Sequence, residues 1–387
     1  MAELSSPFCH LHLHTEYSLL DGAIRLNSLF KRCREYGMDA VSMTDHGTMF
    51  GVAQFYEKAR KASIKPVIGC EVYVAPRTLN DKTQMDHKGL NHLVLLAKDR
   101  QGYANLCKLV SIAQLKGFYY KPRIDRQLLA AHSKGLIGLS ACLKGDIPQA
   151  IIHNNPEAAD AAALYYLNTL GEGNFYLEVQ ENGMEIQQRV NAGILELSRR
   201  LSIPMVATND CHYLSKGDAK AHEILLCIQT GNTISNQNRF KFDSDQLYFK
   251  SAQEMQAALG HYPDAIENTR DVMAKCNVEF DKKSYHFPRY ARTQEESEDE
   301  IFKEKAMEGF EQRFARIKAR KPDVNEALYR ERIKYEIDII LNMGFPGYFL
   351  IVADFIAHAN KIGVPVGAGK RLCRWFNGGL CHGYYRP

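Results

Sequence analysis

Two histidines, His12 and His14, take alternate positions in Cys9-His10-Leu11-His12-Leu13-His14. Alternate residues of an extended segment share a face, so the pair can present two imidazoles to one metal ion. A hydrophobic core gains nothing from the pattern, because each buried ring carries nitrogens that need partners. Taken alone, H-x-H also fits a structural strand edge, but residues further along the chain favour a site. Asp21 comes next, then Thr44-Asp45-His46-Gly47. Glu71 interrupts the apolar run Val67-Ile68-Gly69-Cys70-Glu71-Val72-Tyr73-Val74, where an unpaired carboxylate would be costly to bury. His92 opens an apolar stretch, Cys142 follows another, and Asp210-x-His212 repeats the first geometry after a third.

Together His12, His14, Asp21, His46, Glu71, His92, Cys142, Asp210 and His212 exceed the needs of one ion, since four ligands complete a tetrahedral zinc. The set suits two or three divalent ions, with a carboxylate bridging a pair. Zinc, manganese and iron all accept imidazole with carboxylate. Such a site suits hydrolysis of phosphate esters, in which one ion lowers the pKa of its water to roughly 7 and a second neutralises phosphoryl oxygens. Asp45 is the candidate catalytic residue, orienting a ligand or relaying a proton; the plain alternative is a cap on the following helix. Glu178, His222, His132 and His261 stay outside the set, Glu178 because it has no spaced partner and the others because they fall in helical or loop patterns.

The elements that must position these residues read as repeated βα units up to about residue 275. Strands are expected at 10–14, 40–43, 66–74, 92–96, 135–140, 175–179 and 205–207, with helices at 26–36, 52–62, 103–115 and 186–201 between them. Seven strands suggest a barrel, and in barrels chemistry gathers at the strands' C-terminal ends. Composition shifts after Asp281: 294–300 is polar and acidic, and 301–340 is a charged run of helix formers, read as a linker and surface helices. Gly344-Phe345-Pro346-Gly347 breaks that pattern before an amphipathic helix at 348–360.

At 387 residues, 45% hydrophobic and 24% charged, the chain exceeds one compact core and shows no global disorder. A net charge of +4 permits contact with nucleic acid without arguing for it. No membrane span or signal peptide is evident, and ten scattered cysteines without a C-x-x-C pair resemble neither a disulfide framework nor a zinc finger, so a cytoplasmic protein is expected. Gly367-Ala368-Gly369-Lys370 fails as a phosphate-binding loop, with Val364 and Arg371 at the positions that decide it.

The nine candidate ligands resemble the PHP (polymerase and histidinol phosphatase) superfamily, which implies an α/β fold: a distorted seven-stranded (β/α)7 barrel holding up to three metal ions. Cys142 stands where many relatives have histidine, and thiolate is itself a ligand. Leu19-Leu20-Asp21-Gly22, 117–125, 207–210 and 343–352 resemble the bacterial DNA polymerase III alpha-subunit family, from about Phe8 to Gly367. The resemblance implies a PHP domain at 7–280, a linker and the mainly helical start of a polymerase palm at 281–366, and an aberrant tail at 367–387. It implies 3′ to 5′ exonuclease activity for the barrel, and DNA, a proofreading exonuclease subunit and other replisome subunits as partners. The family's palm carboxylates, which hold magnesium, have no counterpart here, so polymerisation is not expected. The tail, with the only tryptophan, Trp375, departs from the family. Codons exist for 367–387 that, read one nucleotide later, spell the family's glycine- and serine-rich loop; a frameshift near Gly367 is therefore expected. Two other readings stand beside the exonuclease. One is a metal-stabilised scaffold for the polymerase or its proofreading partner, the other a small-molecule phosphatase resembling those for histidinol phosphate.

Overall fold

The computed structural model describes residues 7–19, 21–280, 288–291, 293 and 295–366. The tail at 367–387 lies outside them, and with it the frameshift reading and the rejected loop motif. The chain divides into two compact units, Met1–Phe280 and Asp281–Pro387.

The first unit is built on a curled sheet of strands β1 (Ala40–Met43), β2 (Lys65–Val74), β3 (Asn91–Ala97), β4 (Arg123–Ile124), β5 (Leu136–Leu139), β6 (Phe175–Gln180) and β7 (Met205–Thr208). The order is β1-β2-β3-β5-β6-β7, with β4 beside β2. Alternate strand residues face two different cores. Val41, Ile68, Leu95, Leu177 and Ala207 pack outward under the helices, whereas Ala40, Val67, Val94, Tyr176 and Val206 fill the interior. The helices Leu26–Glu35, Val52–Lys61, Arg100–Leu115 and Glu185–Leu201 match the expected ones to within a few residues. Each buries an apolar stripe at helical spacing, as with Leu26, Leu29, Phe30 and Cys33 in the first.

Besides the short strand β4, which was not expected, two features differ from expectation. Residues 10–14 form no regular strand, because side chains capture backbone donors that a ladder would use. Leu13 N donates to Thr44 Oγ1 at 2.8 Å, and Thr15 N to Asp45 Oδ1 at 2.6 Å. The segment still lies between β1 and the residues after β7: Ser42 N donates to His10 O at 2.9 Å and His14 N to Cys211 O at 2.8 Å. The second difference is β3, which runs antiparallel to both β2 and β5. The link from β2 carries only the five-residue helix Gln84–Lys88, too little to cover a parallel crossover.

The second unit holds the helices Glu298–Arg320, Glu326–Asn342 and Pro346–Lys361. They are more than surface helices. Phe302, Ala306, Phe310 and Phe314, at four-residue spacing, form a core with Ile333, Ile337, Ile340 and Leu350. Of the apolar residues at the end of this unit, Leu350 is buried and Phe349 half-buried, while Phe355 is exposed.

Candidate metal centre

Every one of the nine sequence candidates reaches one cluster at the mouth of the barrel interior. Glu71 is the hub. Its Oε1 lies 3.4 Å from His12 Nε2, 2.9 Å from His92 Nδ1 and 3.8 Å from Cys142 Sγ. Its Oε2 lies 3.8 Å from His14 Nε2 and 2.5 Å from His46 Nδ1. Asp210 Oδ1 is 3.2 Å from His12 Nε2 and 3.1 Å from His14 Nε2, and those two ring nitrogens are 3.2 Å apart. On the other side Asp21 Oδ2 is 3.2 Å from His46 Nε2 and 3.8 Å from His212 Nε2.

The antiparallel strand makes this possible. His92 opens β3, and only because β3 is reversed does its beginning lie beside Tyr73, near the C-terminal end of β2. Two of the turns that deliver donors are strained: Ala141, before Cys142, has φ +62°, and Asp210 itself has φ +47°, left-handed values that residues with a Cβ adopt at a cost.

The spacing is that of a coordination shell. Bonds of 2.0–2.1 Å around a tetrahedral ion put the ligand atoms about 3.3–3.4 Å apart, and the contacts among His12, His14, Asp210 and Glu71 run from 3.1 to 3.8 Å. His46 Nδ1 and Glu71 Oε2 are buried and approach to 2.5 Å without the alignment of a regular hydrogen bond. His12, His14 and Glu71, then His14, His46 and His212, then His46, Glu71 and His92, each bring donor atoms within 4.8 Å of one another. These residues fit divalent ions in number, type and geometry.

Sequence comparison supplies the family. The PHP domain family matches residues 10–182, and the family described as the bacterial DNA polymerase III alpha NTPase domain matches 300–371. The DNA polymerase III alpha subunit of Helicobacter pylori is 39% identical over 386 residues, 94% of this chain and 31% of its own length. That of Treponema pallidum is 40% identical over 372 residues, 96% of this chain and 31% of its own length. The chain thus carries a PHP domain and a bacterial DNA polymerase III alpha domain, and is similar along 94–96% of its length to these alpha subunits. It spans about 31% of the length of these relatives. A solved structure from Bifidobacterium adolescentis, assigned as a metal-dependent phosphoesterase, aligns over 65% of this chain and 96% of its own, with 13% identity and a TM-score of 0.37, a likeness too distant to carry an argument.

The electrostatics of this PHP centre derive from burial. Burial opposes charge on His12 and His46, yet neighbouring carboxylates outweigh it. Asp210, Glu178 and Glu71 raise His12 well above the usual histidine range, and Asp21 and Glu71 do the same for His46. His14 goes the other way, to about 3, through burial and then the adjacent His46 and His212. Burial also pushes the Cys142 thiol up, helped by Glu71 and Asp210. Glu71, Asp21 and Asp210 are held low by surrounding imidazoles despite burial.

Two residues take roles that the sequence did not reveal. Glu178 accepts from His12 Nδ1 at 2.7 Å and from Gln180 Nε2 at 2.8 Å, and also from the Thr208 hydroxyl. A carboxylate at that distance keeps the proton on Nδ1 and turns the Nε2 lone pair toward Glu71 and Asp210. The available signal was alternation in β6: Tyr176 faces the interior, so Glu178 and Gln180 face it too. Asp45, by contrast, neither joins the ligands nor caps a helix. Its oxygens are taken by Thr15 N at 2.6 Å and Thr15 Oγ1 at 2.8 Å, and burial raises it to about 6. It pins the segment that carries His12 and His14. His222, also outside the set, supports Asp21 by bonding its carbonyl at 2.9 Å.

Proposed function

We propose that the barrel is a metal-dependent phosphodiesterase that removes nucleotides from the 3′ end of single-stranded DNA, as the PHP part of a replicative polymerase subunit. The observation that carries this reading is the convergence of five imidazoles, a thiol and three carboxylates on Glu71 and its neighbours. His12, His14, Asp21, His46, Glu71, His92, Cys142, Asp210 and His212 would hold two or three divalent ions, of zinc, manganese or iron. Ions held there would supply Lewis-acid stabilisation of charge developing on a phosphoryl group.

The chain's own residues do the positioning. Glu71 presents each carboxylate oxygen to a different set of donors, Glu178 orients His12, and Asp45 fixes the histidine segment. Access is from one side: the side chains of Asp21 and His92 are 13% and 16% exposed, against 0% for His12 and His14. The proposed partners are DNA and, by likeness to the relatives, a proofreading exonuclease subunit and other replisome subunits. The cytoplasm is the proposed compartment, in keeping with free thiols at all eight described cysteines. Among the described residues no single helix is long and apolar enough to cross a membrane. Nucleotide addition is not proposed for this chain.

A second reading, metal as scaffold, is favoured by one observation: His12, His14 and Glu71 are nearly inaccessible, as ligands of closed structural sites are. The two are separated by supplying manganese or zinc to the full chain with a 5′-labelled single-stranded oligonucleotide, and separately with histidinol phosphate. Stepwise 3′ shortening, lost at least 100-fold in the His12→Ala/His14→Ala double variant, is the expected result. Full activity in that variant would remove the active-site assignment, and tight metal binding without hydrolysis would select the scaffold.

A further inference from the structure

The loop Gly117-Phe118-Tyr119-Tyr120-Lys121-Pro122-Arg123 lies against the metal centre. Pro122 occupies space beside Gly47, the residue after His46; a Cβ on Gly47 would come within 2.6 Å of Pro122 Cγ and 3.2 Å of the Tyr73 ring. The Lys121 ammonium lies 5.4 Å from the centre of that same ring. Tyr73 in turn packs 5.9 Å from the His46 ring and 5.1 Å from that of His92. One aromatic ring therefore separates a lysine from two of the proposed ligands.

The loop is held in place by an unusual device. Arg123 is wholly buried, and its guanidinium donates to three backbone carbonyls: Gly117 at 2.9 Å, Asp81 at 2.9 Å and Leu79 at 3.1 Å. Its guanidinium also faces the Tyr119 ring at 5.3 Å. A buried cation satisfied by carbonyls alone is an expensive way to shape a surface loop, and the shape it fixes is specific. Tyr120 is driven into the left-handed region, φ +60°, which a residue with a Cβ adopts under constraint. There its ring rests near His87, centroids 4.3 Å apart, and remains 62% exposed. Lys121 is half-buried and forms no ion pair among the described residues. Burial draws its pKa below the usual lysine range, and the charge of Asp21 pulls the other way.

We propose that Tyr120 and Lys121 form the strand-binding subsite of the metal centre, a base of single-stranded DNA stacking on Tyr120 while the adjoining phosphate sits on Lys121. The proposal rests on the phosphodiesterase reading above. An exposed ring next to an unpaired cation is the pairing that tracks a single strand without regard to sequence, because every base has a stacking face and every linkage a charge. A duplex offers no open base face to the ring, and a small phosphate ester would use the lysine alone.

The test is fluorescence anisotropy of a labelled single-stranded oligothymidylate with the metal-free full chain, across a salt series, followed by hydrolysis kinetics with manganese. Lys121→Met should weaken binding about tenfold and flatten the dependence of log K on log salt by about 0.7, the share of one phosphate contact. Lys121→Arg should restore both. Tyr120→Asn keeps a residue suited to the left-handed backbone but removes the ring. It should weaken binding roughly 5- to 100-fold, with Tyr120→Phe close to wild type. In hydrolysis both losses should appear in KM more than in kcat. Wild-type binding, salt slope and KM in Lys121→Met and Tyr120→Asn would overturn the subsite, and so would failure of the wild-type chain to bind the oligonucleotide. If the wild type binds with these variant effects yet hydrolyses no diester, the subsite stands and the phosphodiesterase reading falls. If it hydrolyses bis(p-nitrophenyl) phosphate while both variants match it on DNA, the reverse holds.

Discussion

Replacing Glu178 by glutamine tests whether the centre depends on an oriented imidazole. In the native arrangement the carboxylate bonds His12 Nδ1 at 2.7 Å, leaving Nε2 facing Glu71 Oε1 at 3.4 Å and Asp210 Oδ1 at 3.2 Å. Glutamine keeps the shape and one acceptor oxygen but removes the charge. A hydrogen bond to a charged group contributes about 1.5–3 kcal/mol and a neutral one about 0.5–1.5. The difference, about 1–1.5 kcal/mol, corresponds to roughly tenfold in metal affinity. Glu178→Ala also frees the ring to turn and strips partners from Gln180 and Thr208, so a loss near 100-fold is expected, the upper end for such outer partners. The assay is competition for zinc against a chromophoric chelator, with apo-protein thermal unfolding run in parallel. Glutamine should also lower apo stability slightly, since Glu178 Oε2 has no hydrogen-bond partner and an amide NH2 placed there gains none. Zinc affinities of both variants within twofold of wild type, with the fold intact, would refute the orienting role.

The same geometry yields three further outcomes. Gly47→Ala forces a Cβ to within 2.6 Å of Pro122 at φ +59°; unfolding midpoints should fall by the equivalent of about 1–3 kcal/mol, and an unchanged midpoint would mean that the loop yields freely. Phe314→Ala should cost the second unit about 3–5 kcal/mol, seen as faster hydrogen exchange across Glu298–Asn342 with metal binding to the first unit unaltered. Metal binding should release protons, because His12 and His46 hold theirs above the ordinary histidine range and must give them up to coordinate. Affinity therefore rises with pH from the mildly acidic side through neutrality. Calorimetry of zinc binding in buffers of different ionisation enthalpy should report a positive proton release, and none would contradict the assigned protonation.

The clustered candidate residues were legible in the sequence because such side chains are chemically costly to bury anywhere else. Repeated histidines, and a glutamate inside an apolar strand, have few alternative explanations. Most strands and helices were legible too, since β5 and β7 read as continuous apolar runs and the helices carry apolar stripes. Contact between distant positions was not legible. Glu178 acts on a histidine 166 residues away, and nothing local in β6 distinguishes it from a satisfied buried carboxylate. The reversal of β3 was hidden for a different reason. Strand periodicity is the same in either direction, so the pattern that located β3 carries no information on its sense.

That reversal explains why the centre can contain so many donors. A barrel of strictly parallel strands offers its mouth only strand C-terminal ends and the loops beyond them. Inverting β3 places a strand's N-terminal end there instead: His92 pairs with Tyr73, and its ring reaches back along β2 to Glu71, at 2.9 Å. The gain in donors creates a charge problem. Asp21, Asp45, Glu71, Glu178 and Asp210 bring five carboxylates into one largely buried region. Imidazolium on His12 and His46 offsets only part of that charge, and His14 is prevented from helping by burial and then by its two histidine neighbours. Two or three divalent cations would balance the five negative charges almost completely. The protein alone offsets part of them with protons on rings whose lone pairs are otherwise aimed at common points. The strained backbone at Ala141 and Asp210 keeps that aim in either case, so the same arrangement would suit ions and tolerates protons.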